Sequence, residues 1–512
     1  MDGGSIVGPG WVDPSTSPYR GLNPIAVENY INSAVARHAY GVTTITSAAR
    51  YYALQGALTS GIARGGLEGS DAAGFVRRVQ VVYAMVCLAH ARSSEHDAST
   101  PQPHGAANIL RALADGPVDL DVLAGGDPSR RFAQRSWGFW DTYATVTDLF
   151  GITAGAEPGK AYDDAIVDDV FAGVIDLATS SRHLDLDEVA HLSDACLCWT
   201  PTSPDGQWLA EQFVGRPHGG SSIAAVIGET LQLLDGAIVG SEVRWPEDIA
   251  NVVMYSDLVA THERSTRVWK HWQGIFLRAE QVYAWNALWS ELSGILEASG
   301  AMPLTALTGA LAEGAPPGTV GDFLDALPAI ISEAGMLSDA EVQRGMLDDT
   351  RGRARVELAL TYLGVGTRRW AAYTGATDVP SPVARDADVL FGFQGPPDGY
   401  HASEELSPQW TYRRFEEWRE RSLRDFVVHL ADVLLARHQR VALTRSTWRN
   451  GSLRVPIRLE IVDGIVVHRF GDSSGYPSLR LSRLLSMARQ VGIFEVDEGG
   501  RLRRGPRGGL LD

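Results

Sequence analysis

The stretch RVWKHWQGIFLRAEQVYAWNALWSELSGILEA, residues 267–298, decides the fold class. Val268, Trp272, Ile275, Phe276, Ala279, Val282, Tyr283, Asn286, Trp289, Leu292 and Leu296 recur three or four apart and hold one stripe over many turns. That spacing lines a single side of an α-helix, and a stripe so long and apolar must be buried. The pattern predicts a core helix from about Asp248 to Ala298, or two in line. His262, Arg264, Arg267, Lys270 and His271 fall on its polar side. A solvated face is the simplest reading of that side; a surface toward a partner or nucleic acid is the other.

Working outward, most of the chain carries the same period. Val76, Val79, Val82, Tyr83, Val86, Cys87 and His90 repeat it before a polar loop at 94–106. Arg135 to Ile152 is aromatic-rich, with Trp137, Phe139, Trp140, Tyr143 and Phe150. Shorter helices are expected over 162–244, then a Gly/Pro-rich connection at 301–320 and helices at about 320–334 and 338–363. The expected architecture is mainly α: a multi-domain helical body with a C-terminal α+β module resembling a winged helix. Its parts are an irregular N-terminus (1–24), an N-terminal helical domain (25–155), a central helical domain (156–376), a Pro/Gly-rich linker or loop (377–410) and a basic module (411–512).

A chain of 512 residues suggests about three domains. With 45% hydrophobic and 21% charged residues, a sizeable core is available. No apolar run reaches the roughly 18 residues that span a bilayer, and Met1-Asp-Gly-Gly-Ser has no basic segment followed by an apolar one. No secretory signal and no membrane partner are therefore expected. Cys87, Cys196 and Cys198 are an odd number with two of them one residue apart, which argues against a disulfide framework and for a reducing cytoplasm. Lys occurs only at 160 and 270, so positive charge is carried by Arg, whose fork binds phosphates bidentately.

Thr411–Asp512 inverts the charge of the body. It holds 19 Arg, no Lys and 12 acidic residues, a net of +7, so with −17 for the whole chain residues 1–410 carry −24. Such asymmetry is what a polyanion partner would select. A helix is expected from about Tyr412 to Leu443, then strands at Arg454–Glu460 and Ile465–Phe470 joined at Asp463-Gly464, a pair suited to a turn with positive φ. A helix capped by Ser478 follows, with Leu481, Leu484, Leu485, Ala488 and Val491 on one face and Arg480, Arg483, Met487 and Gln490 on an adjoining face. The chain closes on a hairpin, Ile493–Val496 with Arg501–Arg504. A helix followed by a basic two-stranded wing is the second half of a winged helix. On that reading Arg480 and Arg483 read or clamp double-stranded DNA, while Arg501, Arg503, Arg504 and Arg507 contact its backbone. The short helix that should precede Tyr476 is missing, and winged helices also serve as protein-binding modules.

Catalytic patterns are incomplete. Gly471-Asp-Ser-Ser-Gly475 matches G-x-S-x-G, but no histidine follows it. Gly155-Ala-Glu-Pro-Gly-Lys160 lacks the spacing and the Ser/Thr of a phosphate loop. His218-Gly-Gly-Ser-Ser has no nucleophile to serve. His90, His96 and His104 have no Cys or carboxylate at a zinc spacing, and Cys196-Leu-Cys198 has one residue between thiols where structural zinc takes two to four. Asp163, Asp164, Asp168 and Asp169 read as a solvated helix face. No catalytic residue, metal or cofactor is expected, and the balance leans away from an enzyme.

Gly21-Leu-Asn-Pro24, Ile45-Thr-Ser-Ala-Ala-Arg-Tyr-Tyr-Ala-Leu54, Phe75-Val-Arg-Arg-Val-Gln-Val-Val-Tyr-Ala84, Ser136-Trp-Gly-Phe-Trp-Asp-Thr-Tyr143 and Leu435-Ala-Arg-His-Gln-Arg-Val-Ala442 together resemble a family of bacterial proteins of unknown function, similar to proteins encoded beside helicase and phage-defence genes. The resemblance implies a component of a multi-gene defence or DNA-transaction complex, with other subunits of that complex as partners. It supplies no catalytic residues. The alternatives are a protein–protein scaffold without nucleic-acid contact, and an enzyme whose site is assembled from scattered residues. Arg50 beside Tyr51 and Tyr52 reads as a packing device.

Overall fold

The computed structural model describes residues 23–39, 41–43, 45–125, 127, 129–133, 138–215, 222–239, 249–255, 263–327, 355–376, 387–395, 404–449, 452–472 and 475–512. Helices dominate these residues, and the strands are short. The chain divides into two compact units, Met1–Ala34 with Trp269–Leu479, and Val35–Val268 with Arg480–Asp512. Thr411–Asp512 is therefore shared between them.

The first unit is built on the predicted stripe. The helix Glu263–Ser299 runs 37 residues and buries Trp272, Ile275, Ala279, Val282, Trp285, Trp289, Leu292 and Leu296; His271, expected on its polar side, is buried as well, whereas Arg267 is exposed. The pattern placed its start near Asp248; the structure has a separate helix, Ile249–Tyr255, and residues 256–262 lie outside the described set. The helix Arg355–Thr374 packs on Pro408–Glu417, and Leu304–Ala312 packs on Leu423–Thr444. A three-stranded antiparallel sheet completes the unit, in the order Ala301–Pro303, Ile465–His468, Leu459–Val462. Asp463 and Gly464 make the turn between the last two with φ of 50° and 77°, the double positive φ that an Asp-Gly hairpin calls for.

Four local expectations are corrected. Tyr412–Leu443 is two helices, Pro408–Glu417 and Leu423–Thr444, because Ser407 and Ser422 each accept a backbone N–H and start a new helix. Arg454–Glu460 is not one strand: Ser452–Arg454 pairs back on Thr447–Arg449, and Pro456, lacking an N–H, separates it from Leu459–Val462. The connection 301–320 contains a strand and the helix Leu304–Ala312, which buries Leu307 and Leu311. The linker 377–410 contains the helix Ala387–Gln394. The helix expected over 338–363 is described only as Arg355–Thr374; 328–354 lie outside the described residues.

The second unit gathers the helices Arg50–Gly65, Gly69–His90, Trp140–Phe150, Asp164–Ser180, Pro204–Phe213, Ser222–Val239 and Leu481–Gln490. Its aromatic centre is legible in the sequence. Tyr51 lies 4.4 Å from Phe139 and 5.4 Å from Tyr143, and Tyr52 meets Tyr143, Phe150 and Phe213 edge-on. Each phenol finds a partner, as buried tyrosines require: Tyr51 accepts from the His104 amide, Tyr52 donates to the Gly41 carbonyl, and Tyr143 accepts from the Ser47 and Ala48 amides. Among the described residues, Gly69–His90 is the one helix long and apolar enough to cross a membrane, and 78% of its apolar window is buried inside the protein.

Arg50 is more than a packing device. Its guanidinium is fully buried and meets Asp205 through two parallel bonds, Nε–Oδ2 at 2.8 Å and Nη2–Oδ1 at 2.9 Å. Nη1 donates to the Asp194 carbonyl at 2.8 Å and to that of Cys196. Burial acts to lower the pKa of this guanidinium, but the Asp205 carboxylate outweighs it and holds it above its ordinary value.

Two outcomes follow from these buried groups. Asp205→Ala leaves a buried guanidinium uncompensated and destabilises the second unit by about 3–5 kcal/mol. Arg50→Met with Asp205→Leu recovers part of that loss, yet stays about 1–3 kcal/mol below wild type because the Asp194 carbonyl has lost the Arg50 donor; denaturant unfolding of the three chains measures both. In the first unit, His438 is buried, its Nδ1–H donating to the Pro24 carbonyl at 3.0 Å while Nε2 accepts from the Arg458 amide at 3.0 Å. Burial pushes its pKa down to about 4. The unfolded chain protonates this imidazole below pH 6.5 and the folded chain does not. The stability is therefore complete above pH 6.5 and is lost as pH falls toward 4. Between pH 7 and pH 4.5, wild type should lose about 2–3 kcal/mol more than His438→Gln in paired denaturant titrations.

Candidate functional sites: the C-terminal arginines and a histidine–cysteine cluster

The six arginines singled out by the sequence all lie in the second unit, and the structure gives them different work. The helix they were placed on begins at Leu481; Ser478 does not cap it, and Arg480 occupies the cap position in the left-handed region, φ 60°. Arg480 donates from Nη1 to the Val42 carbonyl at 3.2 Å. Arg483 is half-buried. Met487, expected beside these arginines, is buried with its sulfur 3.7 Å from the Tyr52 hydroxyl. Gln490 accepts from the Ala49 amide and donates to the Ser47 carbonyl. Within this helix only Ser482 is exposed.

The expected terminal hairpin forms between Phe494–Val496 and Leu502–Arg504, with Phe494 opposite Arg504 and Val496 opposite Leu502. Arg504 clamps Asp235 bidentately, at 2.8 and 2.6 Å, and reaches Asp512 at 2.9 Å. Arg507 donates to the carbonyls of Thr200, Val491 and Ser203. Arg503 is exposed and pairs with Glu495 across the strands at 2.8 Å. Arg501 is exposed at the start of the returning strand. Arg480, Arg504 and Arg507 thus fasten the C-terminal segment to its own unit, and Arg501 and Arg503 face outward.

A second constellation escaped the sequence reading. His90, His96, Cys196 and Cys198 converge, and one donor atom from each lies within 4.8 Å of every other. His90 is the last residue of the helix Gly69–His90. The chain then turns through Ser93 N–H to the His90 carbonyl at 2.8 Å and His96 N–H to the Ser93 carbonyl at 3.3 Å, which brings the second imidazole over the helix end. The rings of His90 and His96 stand 5.4 Å apart and nearly perpendicular. The cysteines come from a segment of 3₁₀ turns, Ala190–Ala195 and Leu197–Trp199, with Cys196 extended between them at φ −64° and ψ 146°. That extended residue lets two thiols one position apart serve one point. The segment is fixed from two sides: Arg50 holds the Asp194 and Cys196 carbonyls, and Arg507 holds those of Thr200 and Ser203.

Nδ1 of His90 is 3.2 Å from the Cys198 sulfur, and Nδ1 of His96 is 3.8 Å from that of Cys196. His90 and Cys196 are buried, His96 and Cys198 half-buried. Trp199 stacks on His90 at 6.0 Å. Cys87, three residues before His90 on the same helix, is buried behind the group. Burial opposes its ionisation, but hydrogen bonds from Cys196 and the Leu197 amide, with the Arg50 guanidinium, hold it below the usual thiol range. Cys196 is pushed up to about 12: its hydrogen bond with Cys198 lowers it, and contact with Cys87 and burial outweigh that. Cys198 is raised by its hydrogen bond to Cys196 and by burial.

The other sequence candidates do not assemble. Gly155–Lys160 lies in the hairpin Thr153–Ala154 with Glu157–Pro158. Asp163 caps the helix Asp164–Ser180, and Asp168 pairs with Arg64 at 2.8 Å. His104 faces Phe132 rather than the other histidines. His218, Ser473 and Ser474 lie outside the described residues. Comparison with protein-family models, with curated proteins and with solved structures finds nothing that matches this chain.

Proposed function

We propose that this chain is a non-enzymatic, mainly helical component of a bacterial defence or DNA-transaction complex, and that it meets double-stranded DNA through the outer edge of a winged-helix-like C-terminal module. The observation that carries the reading is the hairpin 494–504, which presents Arg501 and Arg503 to solvent at the end of the one basic stretch of an acidic chain. Arg483, half-buried, lies on the helix that precedes it in the chain. Arg480, Arg504 and Arg507 then act as fasteners of the module rather than as phosphate ligands. Phosphate contacts of this kind position a protein on a duplex without reading its sequence.

A second reading, a protein–protein scaffold without nucleic-acid contact, is favoured by the helix Leu481–Gln490. A recognition helix needs an open face, and this one exposes Ser482 alone.

Fluorescence anisotropy with a duplex at several salt concentrations separates the two. Contacts by Arg501 and Arg503 predict affinity that falls steeply with salt, and Arg501→Ala with Arg503→Ala should reduce the slope of log K against log salt by about 2. Binding that is absent, or that keeps its slope in the double variant, overturns DNA contact at this edge. Co-purification of a stable protein neighbour without nucleic acid would then support the scaffold.

A further inference from the structure

We infer that His90, His96, Cys196 and Cys198 form a structural zinc site that ties the end of the helix Gly69–His90 to the 3₁₀ segment 190–199. The inference is independent of the DNA reading and would survive its failure.

The donor set and its dimensions argue for it together. Zinc bonds of about 2.3 Å to sulfur and about 2.0–2.1 Å to nitrogen, arranged tetrahedrally, place sulfur and nitrogen about 3.5 Å apart. The two measured sulfur–nitrogen separations, 3.2 and 3.8 Å, bracket that edge. All four donors lie within 4.8 Å of one another, so one ion can reach them with side-chain adjustment alone. Two thiols and two imidazoles without a carboxylate suit zinc, whereas magnesium and calcium take oxygen ligands. Four protein ligands fill a tetrahedron and leave no position for water or substrate, which marks the site as structural rather than catalytic.

The zinc bond falls on Nδ1 of each imidazole, the nitrogen that faces a cysteine sulfur. Surrounding groups already aim the ligands. Arg50 holds the carbonyl of Cys196 itself and so orients that ligand without binding the metal.

The full chain, purified without chelator, should contain about one zinc per chain by elemental analysis. Exchanged for cobalt, it should give the spectrum of a tetrahedral ion with two thiolates. His96→Gln, on the half-exposed loop, should lose the metal on dialysis, as should Cys198→Ser, while Cys87→Ala and His104→Gln retain it. If Cys198→Ser does not fold, the wild-type cobalt spectrum still counts the thiolates. Absence of zinc together with no cobalt spectrum after reconstitution overturns the site. A three-thiolate spectrum, or full retention of zinc by His96→Gln, overturns this choice of ligands.

Discussion

The second unit rests on one buried ion pair. Arg50 and Asp205 have no exposed side-chain surface, and their two parallel hydrogen bonds join the start of the helix Arg50–Gly65 to the helix Pro204–Phe213. A buried pair is not in itself a strong source of stability, because desolvating two charges offsets much of their attraction. Its value here is positional. The remaining nitrogen of Arg50 reaches the carbonyls of Asp194 and Cys196, in a segment of short 3₁₀ turns rather than regular helix. Gly206 belongs to the same construction: a Cβ there would fall 1.7 Å from the Thr200 carbonyl, so the helix can start beside that segment only with glycine at this position. The aromatic stack of Tyr51, Tyr52, Tyr143 and Phe139 surrounds this arrangement with well-partnered phenols.

The arginine excess of the C-terminal stretch has to be read through this geometry. Counted by charge, Arg480, Arg483, Arg501, Arg503, Arg504 and Arg507 are one basic surface. Placed in the fold, Arg504 neutralises Asp235 and Asp512, and Arg507 supplies donors to three carbonyls. A guanidinium carries five donors in a fixed fork, which makes it as apt for tying irregular backbone as for binding phosphate. The total charge does not distinguish these uses; the distance to the nearest carbonyl does.

The helical class was legible because burial imposes a period. The stripe from Val268 to Leu296, the tyrosine-rich segment at 50–52 and the Asp463-Gly464 turn each reflect a local rule, and the structure realises all three. Boundaries failed where a single capping or non-donating residue decides them. Ser407 and Ser422 divide what the apolar spacing joins, and Pro456 separates strands that alternation joins. The arginines were legible as residue types but not in their partners, since Asp235, Thr200 and Ser203 lie far from them along the chain.

The histidine–cysteine cluster marks the limit of spacing as a guide. Zinc motifs are recognised in a sequence when each ligand pair sits on one short turn, and this chain separates its pairs by about a hundred positions: His96 and Cys196 are 100 apart, His90 and Cys198 108. Five residues lie between the histidines and one between the cysteines, so neither half looks like a motif. The same separation gives the tie its physical worth. Closing a loop of about 100 residues removes chain entropy from the unfolded state amounting to roughly 4–5 kcal/mol on the cross-link model. A bond there does most where secondary structure does least. The polar loop after His90 and the 3₁₀ segment around Cys196 have little regular structure to hold them, and both are fixed instead by long-range donors such as Arg50, Arg507 and the Tyr51 hydroxyl that meets the His104 amide. A metal tie at the meeting point of these two segments completes a scheme that the buried ion pair begins.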